Sequence, residues 1–408
     1  MSKVRKCQVL VVGAGPGGYV AAIRSAQLGL DTVIVEGDKA GGVCLNIGCI
    51  PSKALIHAAE RFESLTKHSA ENGHMGITVH QAPEIDMEEV TGWKDAIVER
   101  LTKGVESLVK GAGAELIYGW AKFSSSKQCT VKTEDGEITI EAENVIIATG
   151  SSHINLPFMP CDEKFVLSST GALSLQKLPK KVAIVGGGYI GLELGCALSK
   201  LGTEVTVIEG MDSILAIMDK EIRRPLEIWL KKNKVTVHTN ALARGSKIKG
   251  KGAASKVELT FEKDSKENKI LVDKILVTVG RSPNSKGWGL ENMGVRMDTS
   301  GRFIRIDRQC RTSAPGVYAI GDVAGEPMLA HKASAQGEMV AEIISGEKRE
   351  FDKVAIPAIV FTEPEIVSVG LTPDEAKERG EEIITGKFPL AANGRALTLE
   401  AEKTAGFI

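Results

Sequence analysis

The sequence lacks most of the features that settle a function from composition alone. With 51 Lys and Arg against 52 Asp and Glu its formal charge is -1, so no one-sided field exists to draw nucleic acid or an anionic membrane surface. The partners are expected to be small molecules or proteins. Long hydrophobic runs are missing too. The opening run Val9 to Val12 is far too short for a signal-peptide core or a membrane span and passes straight into glycines. It reads as a buried strand in a soluble, cytoplasmic protein. Seven scattered cysteines do not make the framework of a small secreted scaffold.

One cysteine pair stands apart, in GGVCLNIGCIPSK, Gly41 to Lys53. No second close pair or Cys/His cluster accompanies Cys44 and Cys49, which excludes a structural zinc knuckle there, since that needs two further ligands. A wound helical turn entered from a loop brings such sulfurs within disulfide reach. Spacing alone is equally compatible with a redox pair and with two unpaired thiols.

Glycine, by contrast, is abundant and ordered. CQVLVVGAGPGGYVAAIRSAQLGLDTVIVE, Cys7 to Glu36, is a strand, the glycines Gly13, Gly15 and Gly18, a helix ending at Gly29, and a second strand closing on Glu36. This is the dinucleotide fingerprint in its proper setting: glycines admit a pyrophosphate to a helix N-terminus, and an acid about 20 residues on accepts from a ribose hydroxyl. The unit recurs without a gap 173 residues later, with Gly186, Gly188, Gly191, Gly202 and Glu209 repeating Gly13, Gly15, Gly18, Gly29 and Glu36. Two fingerprints imply two dinucleotides, most simply in an enzyme that passes a hydride between them. Glu209 is followed by Gly210, Met211 and Asp212, with no Arg or Lys to hold a 2′-phosphate, so NAD is expected over NADP.

Between the copies, Ile97, Leu101, Val105 and Leu108 fall at helical spacing and are expected to pack inward. Short alternating strands follow from Glu115 to Ile140, and NVIIATGS carries a buried strand to Thr149 and Gly150. Lys247 to Lys269 reads as a solvated hairpin. ILVTVGRSPN, with Gly280, and TSAPGVYAIGDV, with Gly321 and Asp322, are two further strands ending in glycine turns. Asp322 is suited to accepting from a cofactor polyol or to capping the next helix.

Over nearly its whole length the sequence resembles the FAD-dependent pyridine nucleotide-disulfide oxidoreductases, and within them most closely those that oxidise dihydrolipoamide. GGVCLNIGCIPSK is similar to their redox signature, with Val43 where Thr is usual, and PMLAHKASAQGEMVAE, Pro327 to Glu342, is similar to their helix after the ribitol-binding Asp. The resemblance implies an α/β fold of two Rossmann-like domains, FAD- and NAD-binding, plus an incomplete α+β dimerisation domain. The expected divisions are 1–150 (FAD, with the disulfide), 151–279 (NAD), 280–349 (FAD, second part) and 350–408 (interface). It implies that Cys44 and Cys49 form a disulfide, Cys49 nearer the flavin and Cys44 exchanging with substrate, and that Lys53 lies beside the flavin and pairs with Glu193. Gly13, Gly15, Gly18, Glu36, Gly42, Lys53, Thr149, Gly150, Gly321 and Asp322 would hold FAD. Gly186, Gly188, Gly191, Glu209 and Gly280 would hold NAD. Partners would be the lipoyl domains of 2-oxo acid dehydrogenase complexes and a second copy of the chain. The alternatives are another FAD-dependent disulfide reductase, an NADH diaphorase, or a catalytically silent FAD-binding fragment.

In one respect the sequence departs from that pattern. Family members continue past the position of AEKTAGFI, and the continuation carries a His-Pro segment whose His serves as general base; the sequence has no HP dipeptide. A chain ending at Ile408 is expected to turn over lipoamide poorly and to leave a strand edge and an apolar face of its dimerisation region uncovered.

Overall fold

A computed structural model describes residues 3–69, 73–352, 355–400 and 406–407; of the segment AEKTAGFI, the remaining residues lie outside this range. The chain divides into two compact units. One comprises 1–51, 95–152 and 281–353, the other 52–94, 153–280 and 354–408.

The first unit is built on a seven-stranded sheet. Lys3–Val12 lies between Thr32–Glu36 and Gly136–Ile147, parallel to both, and Val317–Ala319 adds in parallel beyond. Val9, Leu10, Val11, Ile34, Val145, Ile146 and Ile147 are fully buried, the continuous apolar pattern of a parallel sheet covered on both faces. One cover is the pair of helices Pro16–Gln27 and Ala330–Ile344. They touch backbone to backbone at Gly17 and Gly337, where a Cβ on either would strike the other helix. The helix Met87–Gly111 buries Val105 and Val109 and turns Leu101 and Leu108 to water. Of the expected inward row Val105 is buried and Ile97 half-buried, whereas Leu101 and Leu108 are exposed; Val105 and Val109, four apart, mark the buried stripe.

The second unit carries a five-stranded parallel sheet in the order Thr236–His238, Glu204–Ile208, Lys181–Val185, Lys274–Val277, Val166–Leu167. The helix Tyr189–Lys200 is buried along most of its length. A three-stranded antiparallel sheet, Ala241–Lys249, Lys256–Lys263 and Lys266–Val272, follows. Its hairpin is not simply solvated as expected: Val257, Leu259 and Phe261 are buried against Ala183, Val185 and Ile275 while the alternate residues carry the charge. The two strands Ala358–Val360 and Ile366–Ser368 pair antiparallel in the same unit.

The stretch Gly42–His68 is long and apolar enough to cross a bilayer by length and composition alone. Its apolar side chains Leu55, Ile56 and Ala59 are instead buried in the core of the second unit, as in a core helix.

Candidate active site

The first glycine loop joins the strand Lys3–Val12 to the helix Pro16–Gln27. Gly13 has a left-handed φ of 99°, and a Cβ there would run into the Ala148 carbonyl; a Cβ on Gly18 would fall on the Gly13 carbonyl. Both positions require glycine for turning and close packing. Gly15 is different: a Cβ there would meet only the Gly42 Cα, at 4.0 Å, an ordinary contact. It caps a helix that has no side-chain cap and no acidic residue in its first turn, so the positive N-terminus is left for an anion. Glu36 sits behind this turn, accepting from the Ala14 N–H at 2.6 Å and the Asp38 N–H at 2.9 Å. Burial raises its pKa above the usual glutamate value, against the pull of those donors.

Against the same loop begins the cysteine helix. Gly42 has φ 58°, and a Cβ on it would lie 2.6 Å from the Gly15 Cα. From there the helix Gly42–Ile47 runs to Gly48, which is not helical, and a second helix, Cys49–His68, starts at the next residue. The break brings Cys44 and Cys49 into a disulfide with a Cα separation of 4.7 Å. Asn46, between them, donates to the carbonyls of Ala40 at 3.0 Å and Gly42 at 2.9 Å and accepts from the Thr102 hydroxyl at 3.0 Å. The short helix is thereby tied to the turn before it at Ala40 and, through Thr102, to the helix Met87–Gly111. Of the other thiols, burial pushes Cys7, Cys129 and Cys196 up to about 12, leaving them protonated and unreactive at neutral pH.

Three more segments complete the first site. Thr149 and Asn284 exchange hydrogen bonds, hydroxyl to carbonyl and amide to carbonyl, each at 2.9 Å, and Gly150 takes φ 67° with nothing within 4 Å of where a Cβ would stand. Asp322, in the turn after the strand Val317–Ala319, accepts from the Ser151 hydroxyl, which in turn accepts from Arg281 Nε at 2.7 Å. The turn is held from beneath: Gly321 N–H donates to the buried Gln336 at 2.9 Å, and buried Lys332 donates to the Gly325 carbonyl.

The second loop reproduces the first bond for bond. Gly186 has φ 106° with the Thr278 carbonyl where a Cβ would be, a Cβ on Gly191 would meet the Gly186 carbonyl, and Gly188 is open. Glu209 accepts from Gly187 N–H and, at 2.7 Å, from Met211 N–H, each donor 173 residues beyond Ala14 and Asp38. Gly280 lies past the neighbouring strand with φ 116°. Both loops thus fit the pyrophosphate and ribose of a dinucleotide.

In the second unit Lys53, one helical turn beyond Cys49 in sequence, donates to Glu193 at 2.8 Å. Glu193 is not a solvated helix residue: its side chain is 5% exposed, and it also accepts from the Phe361 N–H at 3.0 Å. Lys53 Nζ lies 4.3 Å from the centre of the Phe361 ring, a cation–π contact. Asn46, Thr102, Ser151, Arg281, Asn284 and Phe361 were not anticipated. A polar residue inside the apolar turn CLNIGC was the available signal for Asn46. Thr102 and Phe361 carried none, because their partners are distant in sequence.

Residues 7–337 match the model of the pyridine nucleotide-disulphide oxidoreductase family, and residues 356–408 match that of its dimerisation domain. Against dihydrolipoyl dehydrogenase of Pseudomonas aeruginosa the chain is 49% identical over 409 positions, covering 100% of this chain and 85% of that protein. Against dihydrolipoyl dehydrogenase of Bacillus subtilis it is 48% identical over 400 positions, covering 98% and 82%. LpdA of Mycobacterium tuberculosis has the same fold at a TM-score of 0.87 and 27% identity, over 97% of this chain and 85% of that one. The HOCl-induced flavoprotein disulfide reductase RclA of Escherichia coli, solved as a Cu(II) complex, follows at 0.83 and 27%, over 98% and 85%.

Proposed function

The chain belongs to the pyridine nucleotide-disulphide oxidoreductase family, and on that premise we propose that it oxidises protein-bound dihydrolipoamide to lipoamide with NAD+. The observation that carries this reading is the Cys44–Cys49 disulfide on a helix whose first residue, Gly42, abuts Gly15 of the first dinucleotide loop. A redox pair is thereby anchored to a cofactor site. In this reading Gly13, Gly15, Gly18, Glu36, Gly42, Thr149, Gly150, Gly321 and Asp322 hold FAD, within 1–150 and 280–349. Gly186, Gly188, Gly191, Glu209 and Gly280 hold NAD, within 151–279. When bound, FAD supplies a two-electron acceptor for the pair and NAD+ the final hydride acceptor.

The protein's own part is thiol–disulfide exchange. A thiolate of dihydrolipoamide attacks Cys44 Sγ, the bond to Cys49 breaks, and Cys49 leaves as thiolate. The second substrate thiol then attacks the sulfur joined to Cys44, closing the lipoamide disulfide and releasing Cys44. The substrate has lost two electrons and the cysteine pair has gained them. Lys53 follows Cys49 by one turn of the helix, so its charge favours the Cys49 thiolate, and Glu193, fixed by the Phe361 N–H, limits where that ammonium can go. Lipoyl domains are the proposed protein partners, and the dimerisation region from 350 to 408 is proposed to pair two copies of the chain in the cytoplasm.

The reading is tested by anaerobic titration of the FAD-loaded chain with one equivalent of NADH, followed by absorbance. A Cys49 thiolate against the isoalloxazine gives absorbance at wavelengths beyond the flavin's own band. Dihydrolipoamide is expected to produce the same band and reduced glutathione not to. Bleaching of the flavin without that absorbance, or an equal response to glutathione, overturns the assignment.

A further inference from the structure

Between the strands Ser151–His153 and Val166–Leu167 the chain brings together three side chains that the redox chemistry does not use. A ring nitrogen of His153, Sγ of Cys161 and a carboxylate oxygen of Glu163 all lie within 4.8 Å of one another. We propose that His153, Cys161 and Glu163 form a binding site for a zinc-class divalent cation.

The donor set selects the metal. One imidazole, one thiolate and one carboxylate are ligands for zinc and its borderline neighbours, whereas magnesium and calcium take oxygen alone. Bonds of about 2.0–2.3 Å in a tetrahedron place ligand atoms about 3.5 Å apart, a contraction that side-chain rotation supplies. A neutral imidazole with two anions balances a dication, and three protein ligands leave a fourth position for water.

The segment that presents them is braced. Met159, 1% exposed, anchors it in the core of the second unit, and its N–H closes a turn onto the Leu156 carbonyl at 2.9 Å. Asn155 Oδ1 accepts from the Cys161 N–H at 3.4 Å, and Asp162 Oδ1 accepts from the N–H groups of Lys164, Phe165 and Val166 at 2.8, 2.7 and 2.9 Å. On the other side Ile154 N–H donates to the Gly280 carbonyl at 3.1 Å. Glu163, with φ 53°, accepts from the Ser168 N–H at 3.1 Å. Gly171 gives its carboxylate room, since a Cβ at that position would collide with Oε2. Of the cysteines outside the disulfide, Cys161 is the one that is not buried, so a cation reaches it from solvent. The inference does not depend on the function proposed above.

The test uses the full FAD-loaded chain, stripped with chelator, with Cys44–Cys49 kept oxidised so that the redox thiols do not bind metal. Zn2+ is titrated in competition with a chromogenic chelator. One equivalent is expected to bind per chain, and Cys161→Ser and His153→Ala are each expected to weaken it by at least tenfold, about the scale set by supporting residues alone. Flavin absorbance and thermal melts verify that the variants fold. A second measurement needs no variant: one equivalent of Zn2+ is expected to slow maleimide labelling of Cys161, read by peptide mass, by tenfold or more, and Mg2+ is not. Absence of stoichiometric uptake, uptake unchanged in both variants, or labelling that Zn2+ does not slow overturns the proposal.

Discussion

The two glycine loops are one device in two settings. In each, a left-handed glycine packs against a neighbouring carbonyl, a second stands without a close clash at an uncapped helix start, and a glutamate accepts from two backbone N–H groups at matched positions. What differs is the company. The first loop is abutted by Gly42 of the disulfide helix and by Thr149, and the same unit ties Thr149 to Asn284 and Ser151 to Asp322 across more than a hundred residues of sequence. The second is served from within 153–280, by Thr278, whose hydroxyl donates to the Gly186 carbonyl at 3.0 Å, and by Gly280. The motif thus encodes only a place for a dinucleotide. A site assembled from many fixed groups suits a cofactor that stays, and one with fewer suits a cofactor that comes and goes.

The largest expected effect removes what only the first site has. Cys49→Ser leaves both loops intact and takes away the disulfide, so dihydrolipoamide oxidation is expected to fall by at least about a thousandfold. FAD content and NADH-dependent reduction of a dye should stay near those of the unsubstituted chain. Assaying both reactions on one preparation checks it. Dye reduction lost along with lipoamide activity would mean that the disulfide helix supports the first loop itself, and the two settings would not be separable.

Next comes a matched pair of alanines. In Gly18→Ala the new methyl meets the Gly13 carbonyl, which is backbone, and the loop must shift. In Gly191→Ala it meets the Gly186 carbonyl and also the Thr278 hydroxyl at 2.5 Å, which can rotate away. Overpacking of this kind costs about 1–3 kcal/mol. Gly18→Ala is expected to lower the FAD-to-protein ratio after gel filtration, with apparent FAD affinity down by tenfold or more. Gly191→Ala is expected to keep its FAD and raise the KM for NADH by several-fold to tenfold. FAD loss from Gly191→Ala equal to that from Gly18→Ala would break the distinction between a retained and an exchanging cofactor.

How legible these sites were depended on how local their causes are. Both fingerprints could be read because strand, glycines, helix and acid lie within a single 30-residue stretch. The cysteine pair could be located but not settled, since its closure rests on the helix break at Gly48 and on Asn46 held by Thr102. Asp322 was legible as an Asp at a glycine turn, whereas its partners Ser151 and Arg281 and the Asn284 crosslink depend on strands brought together by the sheet. The stretch Lys247 to Lys269 was misread as simply solvated because its lysines outweighed the alternation of Val257, Leu259 and Phe261. On the helix Met87–Gly111 Val105 was placed correctly, but Leu101 and Leu108 were misread as inward because they fit helical spacing equally well on the exposed side.

The smallest effect concerns Glu36, and it turns on sign. Burial raises its pKa, so the folded, cofactor-free chain takes up a proton here more readily than the unfolded chain. As pH falls through that raised value this residue therefore adds stability to the empty fold, and at higher pH its buried charge is a cost. In the proposed reading FAD has the opposite preference, because the ionised carboxylate has more acceptor sites for ribose hydroxyls beside the Ala14 and Asp38 N–H groups that it already holds. Acidification should thus loosen FAD at this site while steadying the empty chain, beginning above the pH near 4.3 at which an ordinary glutamate protonates. Glu36→Gln keeps the shape, removes the titration, and is expected to bind FAD roughly tenfold more weakly at neutral pH, as loss of a charged acceptor implies. Its affinity should also lack the component of acid loosening that Glu36 contributes. The corresponding Glu209→Gln is expected to raise the KM for NADH and leave FAD release unchanged. Fluorescence of released flavin between about pH 7 and pH 4.5 reads both. An acid release curve for Glu36→Gln that superposes on the unsubstituted one would show that the first loop holds its cofactor without its glutamate's charge.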